Sequence, residues 1–140
     1  MKKSSLLLAM MLSVGLSSAF ASDLAASQVP EAVKQSFASR FPAASVIEWD
    51  FDEDDNLFEV DAKIGQLEVE AMIDKDGKVI RTKEDVRAEN IPASVLEKVH
   101  QEWPRAEILG ANKLTDAQKG VIWDVGLKVR SRYRNIQIAE

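Results

Sequence analysis

Carboxylates are the groups this sequence offers most freely for chemistry. The densest run is Asp50-Phe51-Asp52-Glu53-Asp54-Asp55-Asn56. Hard oxygen ligands of this kind suit Ca²⁺, so Asp50, Asp52, Asp54 and Asp55 are candidate ligands of a weak cation site. The competing reading is a solvated hairpin turn. Neither a glycine bend nor a distal glutamate follows in register, so the run is not an EF-hand. Asp74-Lys75-Asp76-Gly77 looks like the middle of a calcium loop. Taking Gly77 as the sixth position puts Met72 first and Lys83 twelfth, and neither can serve there. That stretch reads as a tight hairpin turn.

Two further charge patterns stand out. Glu48, Asp50, Glu59, Asp61, Glu68 and Glu70 alternate with apolar residues in three successive stretches. In strands they would gather on the sheet face away from any packed helix. Lys128, Arg130, Arg132 and Arg134 alternate near the C-terminus and read as a basic stripe. The bland reading is a solvated face with cross-strand pairs. The sharper one is a partner-binding surface, with Glu48, Glu59, Asp61, Glu68, Glu70, Lys128, Arg130, Arg132 and Arg134 as its residues, because one-sided charge steers and selects partners.

Other chemistries lack parts. The chain has no cysteine and a single histidine, His100, so a thiol–imidazole pair and a histidine-rich zinc site are both absent. Its serines sit in no hydrolase motif. We expect no catalytic residues, no enzyme activity and no cofactor apart from the weak Ca²⁺ possibility. The net charge of −5 argues against general nucleic-acid binding, which needs a basic footprint.

The elements that must position these charges come as a repeat. Val29-Pro30, Val33, Phe37, Phe41-Pro42 and Ala44 return 62 residues later as Ile91-Pro92, Val95, Val99, Trp103-Pro104 and Ala106. A repeat has to be recognised first, because it decides the fold. Apolar residues every four positions mark one face of a helix. Proline suits the first helical position, and the second proline stops the helix by forcing the residue before it out of helical geometry. Phe41 and Trp103 read as core residues.

After the first helix, Val46–Phe51 alternates with Ile47, Trp49 and Phe51 on the buried side. Phe58–Lys63, Leu67–Ile73 and a short Lys78–Arg81 follow as strands. In the second copy, Ala106–Leu114 is a weaker strand, softened by Gly110. Val121–Val129 alternates cleanly, and Tyr133–Ile138 ends the chain. The expected fold class is α+β: two tandem repeats, each one helix packed on an antiparallel sheet of three to four strands. The repeats span 29–81 and 91–140, the second truncated. A linker at 82–90 opens with Thr82-Lys83-Glu84-Asp85, which reads as a capping box. The open sheet edge of the truncated copy offers a route to a homodimer.

The chain begins Met1-Lys2-Lys3, continues in an apolar run over Leu6–Leu16, and reaches Ser17-Ser18-Ala19-Phe20-Ala21. This is the pattern of a secretory signal peptide over 1–21, cleaved after Ala21, with a flexible lead-in at 22–28. The run is too short for stable membrane insertion, so a periplasmic or secreted location follows.

The ordered set Val29-Pro30…Val33…Phe37…Phe41-Pro42-x-Ala44, Trp49, an acidic loop, Phe58-Glu59-Val60 and Asp74-x-Asp76-Gly77-Lys78-Val79 resembles the bacterial PepSY-like domain. Its second copy resembles the domain's second half, with Ala111 where Trp49 stands in the first. The resemblance covers about residues 28–139. It implies helix-on-sheet repeats exported from the cytoplasm, similar in layout to beta-lactamase inhibitor proteins. It also implies a protein or peptide partner, and a role as inhibitor or modulator of an extracytoplasmic protease or other enzyme. The family supplies no catalytic residues. The other class of function is a small-ligand or cation-binding protein using the acidic loop at 50–56.

Overall fold

A computed structural model describes residues 23–140; the signal peptide expected at 1–21, and Ser22, lie outside them. Among the described residues there are two α-helices, α1 (Glu31–Arg40) and α2 (Ala93–Glu102). There are seven strands: β1 (Ser45–Asp52), β2 (Leu57–Ile64), β3 (Leu67–Ile73), β4 (Val79–Val86), β5 (Glu107–Asp116), β6 (Gly120–Val129) and β7 (Arg132–Ala139). They divide into two compact units. The first holds residues 23–84 and the hairpin tip 115–119; the second holds 85–114 and 120–140. Strand order follows chain order in each, β1-β2-β3-β4 and β5-β6-β7, and the pairing is antiparallel. This is the expected α+β layering of one helix on each antiparallel sheet.

The two helices repeat down to the torsion angles. Each starts one residue later than the proline pattern suggests. Pro30 and Pro92 are caps, at φ −54°, ψ 142° and φ −55°, ψ 142°. The Pro30 carbonyl accepts from the Val33 and Lys34 amides at 3.0 and 3.2 Å. The Pro92 carbonyl accepts from Val95 and Leu96 at 3.0 and 3.1 Å. Proline lacks a donor that a helix start would leave unpaired anyway. Both helices stop on the aromatic before the second proline, Phe41 at φ −130°, ψ 69° and Trp103 at φ −129°, ψ 66°.

The first core gathers Val33, Phe37 and Phe41 of α1 against Trp49, Val60, Ala62, Val69, Ala71 and Ile73 of the sheet. Phe37 meets Trp49 edge-on with centroids 6.0 Å apart, a favoured aromatic arrangement. The second core gathers Val95 and Val99 against Ala111, Trp123, Val125 and Leu127. Its large indole comes from the middle strand, Trp123, because Ala111 stands where Trp49 does in the first unit. Phe41 is core, as expected, whereas Trp103 packs only at the edge of its cluster.

Four expectations need correction. The lead-in is not free: the Leu24 amide donates to the Trp49 carbonyl at 2.8 Å, and Ala26–Gln28 forms a 3₁₀ turn. Leu24 packs on the first core, which gives the segment a reason to stay. The 82–90 linker begins as strand. Thr82 opposes Ala71 and Lys83 opposes Glu70, so ladder pairing wins over the capping box and β4 runs to Val86. Ile47 is 59% exposed, because the register shifts between Val46 and Glu48 and such a bulge breaks strict alternation. Finally, the β5–β6 tip packs with the first unit, where the Ala117 amide donates to the Ile80 carbonyl at 2.9 Å.

The Asp74–Gly77 turn fits the hairpin reading. The Asp74 carboxylate accepts from the Asp76 and Lys78 amides, both at 2.9 Å. Gly77 lies at φ +89°, and a Cβ there would stand 2.8 Å from the Ala32 carbonyl oxygen of α1. The Ser36 hydroxyl donates to the Gly77 carbonyl from the same helix. Gly65 has positive φ too, but open space around it. Gly77→Ala should therefore destabilise by about 2–3 kcal/mol, from left-handed strain plus the clash, and Gly65→Ala by about 1 kcal/mol from strain alone. Thermal melts of the two variants check this; equal losses would contradict the close approach of helix and turn.

Candidate functional site: a carboxylate ladder on the first sheet

With Val60, Ala62, Val69 and Ala71 turned toward α1, the residues between them face the other way. Strand register then stacks them into rungs. Asp50 opposes Glu59, and Glu59 opposes Met72. Glu48 opposes Asp61, Asp61 opposes Glu70, and Glu70 opposes Lys83. Lys63 opposes Glu68. The carboxylate oxygens of Glu59, Asp61 and Glu70 lie within 4.8 Å of one another, and so do those of Asp23, Glu48 and Asp50. The structure thus brings together Glu48, Glu59, Asp61, Glu68 and Glu70 on one face, as their alternation suggested.

The electrostatics are strained. Half-burial pushes the Glu59 carboxyl up to about 7, and the neighbouring Asp61, Glu70, Asp50 and Asp52 add repulsion. Burial likewise raises Asp61, with Glu68 and Asp50 contributing and Lys83 opposing. Burial raises Glu70 even though the Lys83 ammonium, 3.6 Å away, pulls the other way. A hydrogen bond with Asp23 is the leading cause that raises Glu48. Like charges on adjacent strands are destabilising, so this face is held at a cost in stability.

The acidic turn behaves otherwise. The Asp52 carboxylate accepts from the Asp54 and Asp55 amides at 3.0 and 3.2 Å, and Asp55 pairs with Arg81 at 3.7 Å. Of the four candidate ligands Asp50, Asp52, Asp54 and Asp55, only Asp50 joins a converging group, and it does so with Asp23 and Glu48 rather than with the turn. Asp116 repeats the turn geometry of Asp52. The Gln118 and Lys119 amides, with Arg81 at 3.5 Å, hold its carboxyl below the usual range.

The basic stripe does not form as expected. Val129 opposes Arg132 and Leu127 opposes Arg134 across a two-residue turn, so even-numbered residues of β6 share a face with odd-numbered residues of β7. Leu127 is fully buried in the helix-side core, which puts Arg132 and Arg134 on the helix side. Lys128 faces the opposite way, with its ammonium 6.0 Å from the Tyr133 ring and 4.0 Å from Glu107. Arg130 sits at the turn, at φ 57°. Arg130, Arg132 and Arg134 instead join Trp103 and Arg105 around a cleft. Sequence reading missed Asp23 and Arg105. Parity across the two-residue turn was the available signal for the arginines; Asp23 reaches the ladder only through the docking of Leu24. His100 is exposed on α2.

No family model matches this chain, and no curated protein matches it in sequence. Its fold does have counterparts among solved structures. A BLIP-like protein from Bacteroides fragilis superposes with a TM-score of 0.58 at 15% identity, covering 77% of each chain. A DUF2874 family protein from Bacteroides uniformis gives 0.53 at 14% identity, covering 76% of this chain and 88% of the other. A protein from Bacteroides eggerthii, whose name proposes a periplasmic location, gives 0.53 at 13% identity, covering 77% and 89%. These likenesses show a shared fold, and the BLIP-like layout is the one the tandem repeats suggested. Among the described residues, no helix is long and apolar enough to cross a membrane.

The raised Glu59 carboxyl carries a sign. Between its ordinary value of 4.5 and about 7, the folded state holds a proton that the unfolded chain has released. Stability therefore falls as pH climbs through that window. Glu59→Gln should gain on the order of 1 kcal/mol at pH 8, after allowance for solvent screening, and nothing at pH 4. Urea midpoints at the two pH values test it; the same gain at both would assign the effect to packing instead.

Proposed function

We propose that this chain is an exported, non-enzymatic binding protein that docks a basic protein or peptide segment on the carboxylate ladder of its first unit. One observation carries this: Glu59, Asp61 and Glu70 converge within 4.8 Å on a half-buried face where burial and mutual repulsion raise all three carboxyls. A cationic partner would relieve this repulsion and draw the carboxyls into their charged form. Charge complementarity of this sort speeds association and rejects wrong partners. The secretory pattern at 1–21 and the proposed periplasmic location of one structural neighbour support an extracytoplasmic setting. The BLIP-like name of another, together with the PepSY-like resemblance, supports an enzyme as the partner to be inhibited or modulated.

Capture from the cell envelope tests this reading. The protein from residue 22 onward should retain a partner at low salt and release it as ionic strength shortens the reach of charge to about 8 Å. Glu59→Lys with Asp61→Lys should abolish retention while leaving the melt unchanged or higher, since both positions face mainly other carboxylates. Retention untouched by the reversals would reject the ladder as the docking surface.

The same convergence favours a second reading, a divalent cation seated on Glu59, Asp61 and Glu70 rather than in the 50–56 turn. Oxygen-only ligands suit Ca²⁺. On this reading, millimolar Ca²⁺ raises the melting temperature of the wild type and has no effect on Glu59→Gln/Asp61→Asn. A wild-type melt unmoved by Ca²⁺ would remove it.

A further inference from the structure

The second unit carries a cleft of about 580 Å³ lined by Trp103, Arg105, Arg130, Ser131, Arg132 and Arg134, and no carboxylate is part of its lining. That volume is in the range of small-molecule sites, about 300–1,000 Å³. Three parts of the fold deliver the arginines: the exit of α2 just past Pro104, the β6–β7 turn, and the helix side of β7. Arg105, Arg130, Arg132 and Arg134 are all exposed. The Arg134 guanidinium lies 5.1 Å over the Trp103 ring, a cation–π contact that orients one fork of the set.

Two details do not follow from folding alone. Arg130 occupies a left-handed position, φ 57°, in a two-residue hairpin turn where glycine is the ordinary choice. The Trp103 Nε1–H is buried without a hydrogen-bond partner, although buried indole donors usually have one. Both residues line the cleft.

We propose that this cleft binds a phosphate-class oxyanion, free or on a small organic ligand. Guanidinium forks match phosphate and carboxylate oxygens two at a time. Four of them face a charge deficit that one carboxylate cannot fill, whereas a phosphate group brings about two negative charges. The inference concerns residues of the second unit only and stands independently of docking on the carboxylate ladder.

Isothermal titration with pyrophosphate at low ionic strength tests it. Arms with inorganic phosphate, citrate and vesicles containing phosphatidic acid separate a soluble phosphate from a lipid headgroup and from a carboxylate. One equivalent of pyrophosphate should bind the wild type, about tenfold more weakly to Arg105→Gln and to Arg132→Gln. Glu59→Gln should bind as the wild type does. Both arginine variants should melt normally, because their side chains are exposed. Saturation by vesicles but by no soluble phosphate would place the oxyanion on a lipid and keep the proposal. Citrate binding as tightly as pyrophosphate, equal binding by the arginine variants, or no heat from any phosphate-bearing arm would overturn it.

Discussion

The packing of one short helix on an alternating sheet governs nearly everything else in the first unit. Val33 and Phe37 of α1 must lie against something apolar, and alternate residues of three strands supply it: Trp49 from β1, Val60 and Ala62 from β2, Ala71 and Ile73 from β3. Side chains along a strand point to opposite faces in turn. Once the odd or even set is committed to the helix, the remaining set has no freedom. In β1–β3 that remaining set is Glu48, Asp50, Glu59, Asp61, Glu68 and Glu70. The acidic ladder is thus positioned by the apolar core beneath it, and a slip of one residue would bury carboxylates and expose the core.

The same rule acts differently in the second unit. Leu127, Val125 and Trp123 face α2, and the register of the β6–β7 hairpin carries Ile136, Arg134 and Arg132 onto that face as well. Ile136 joins the core. Beyond it the helix has ended at Trp103, so Arg134 and Arg132 reach past the apolar layer into the cleft beside the indole. Two copies of one helix–sheet unit therefore carry opposite charges at different places: anionic on the face away from the first helix, cationic at the C-terminal end of the second.

Much of this was legible in the residues. The 62-residue offset located both helices, and near-identical torsion angles at their ends show that Pro30/Pro42 and Pro92/Pro104 act alike. The alternation at Glu59/Asp61 and Glu68/Glu70 identified the ladder, because alternation is a local property. The rest depended on long-range geometry. The bulge that turned Ile47 outward, the return of Leu24 onto Trp49 and the strand pairing of Thr82 each depend on a partner distant in the chain. The arginines failed for a subtler reason. Spacing alone treats residues 128–134 as one strand, whereas a two-residue turn exchanges the parity of the faces. The acidic turn misled because local carboxylate–amide bonds at Asp52 compete with any wider gathering of ligands, a general property of aspartate in turns.

The ladder is a crowded, half-buried set of carboxylates held against its own repulsion. Carboxyl-carbon NMR titration of Glu59 measures this directly. The midpoint should fall near 7 and drop toward the ordinary range when Asp61→Asn removes a neighbouring charge. A midpoint near the ordinary value of 4.5, unmoved by Asp61→Asn, would show a solvated face with no stored repulsion and would overturn this reading.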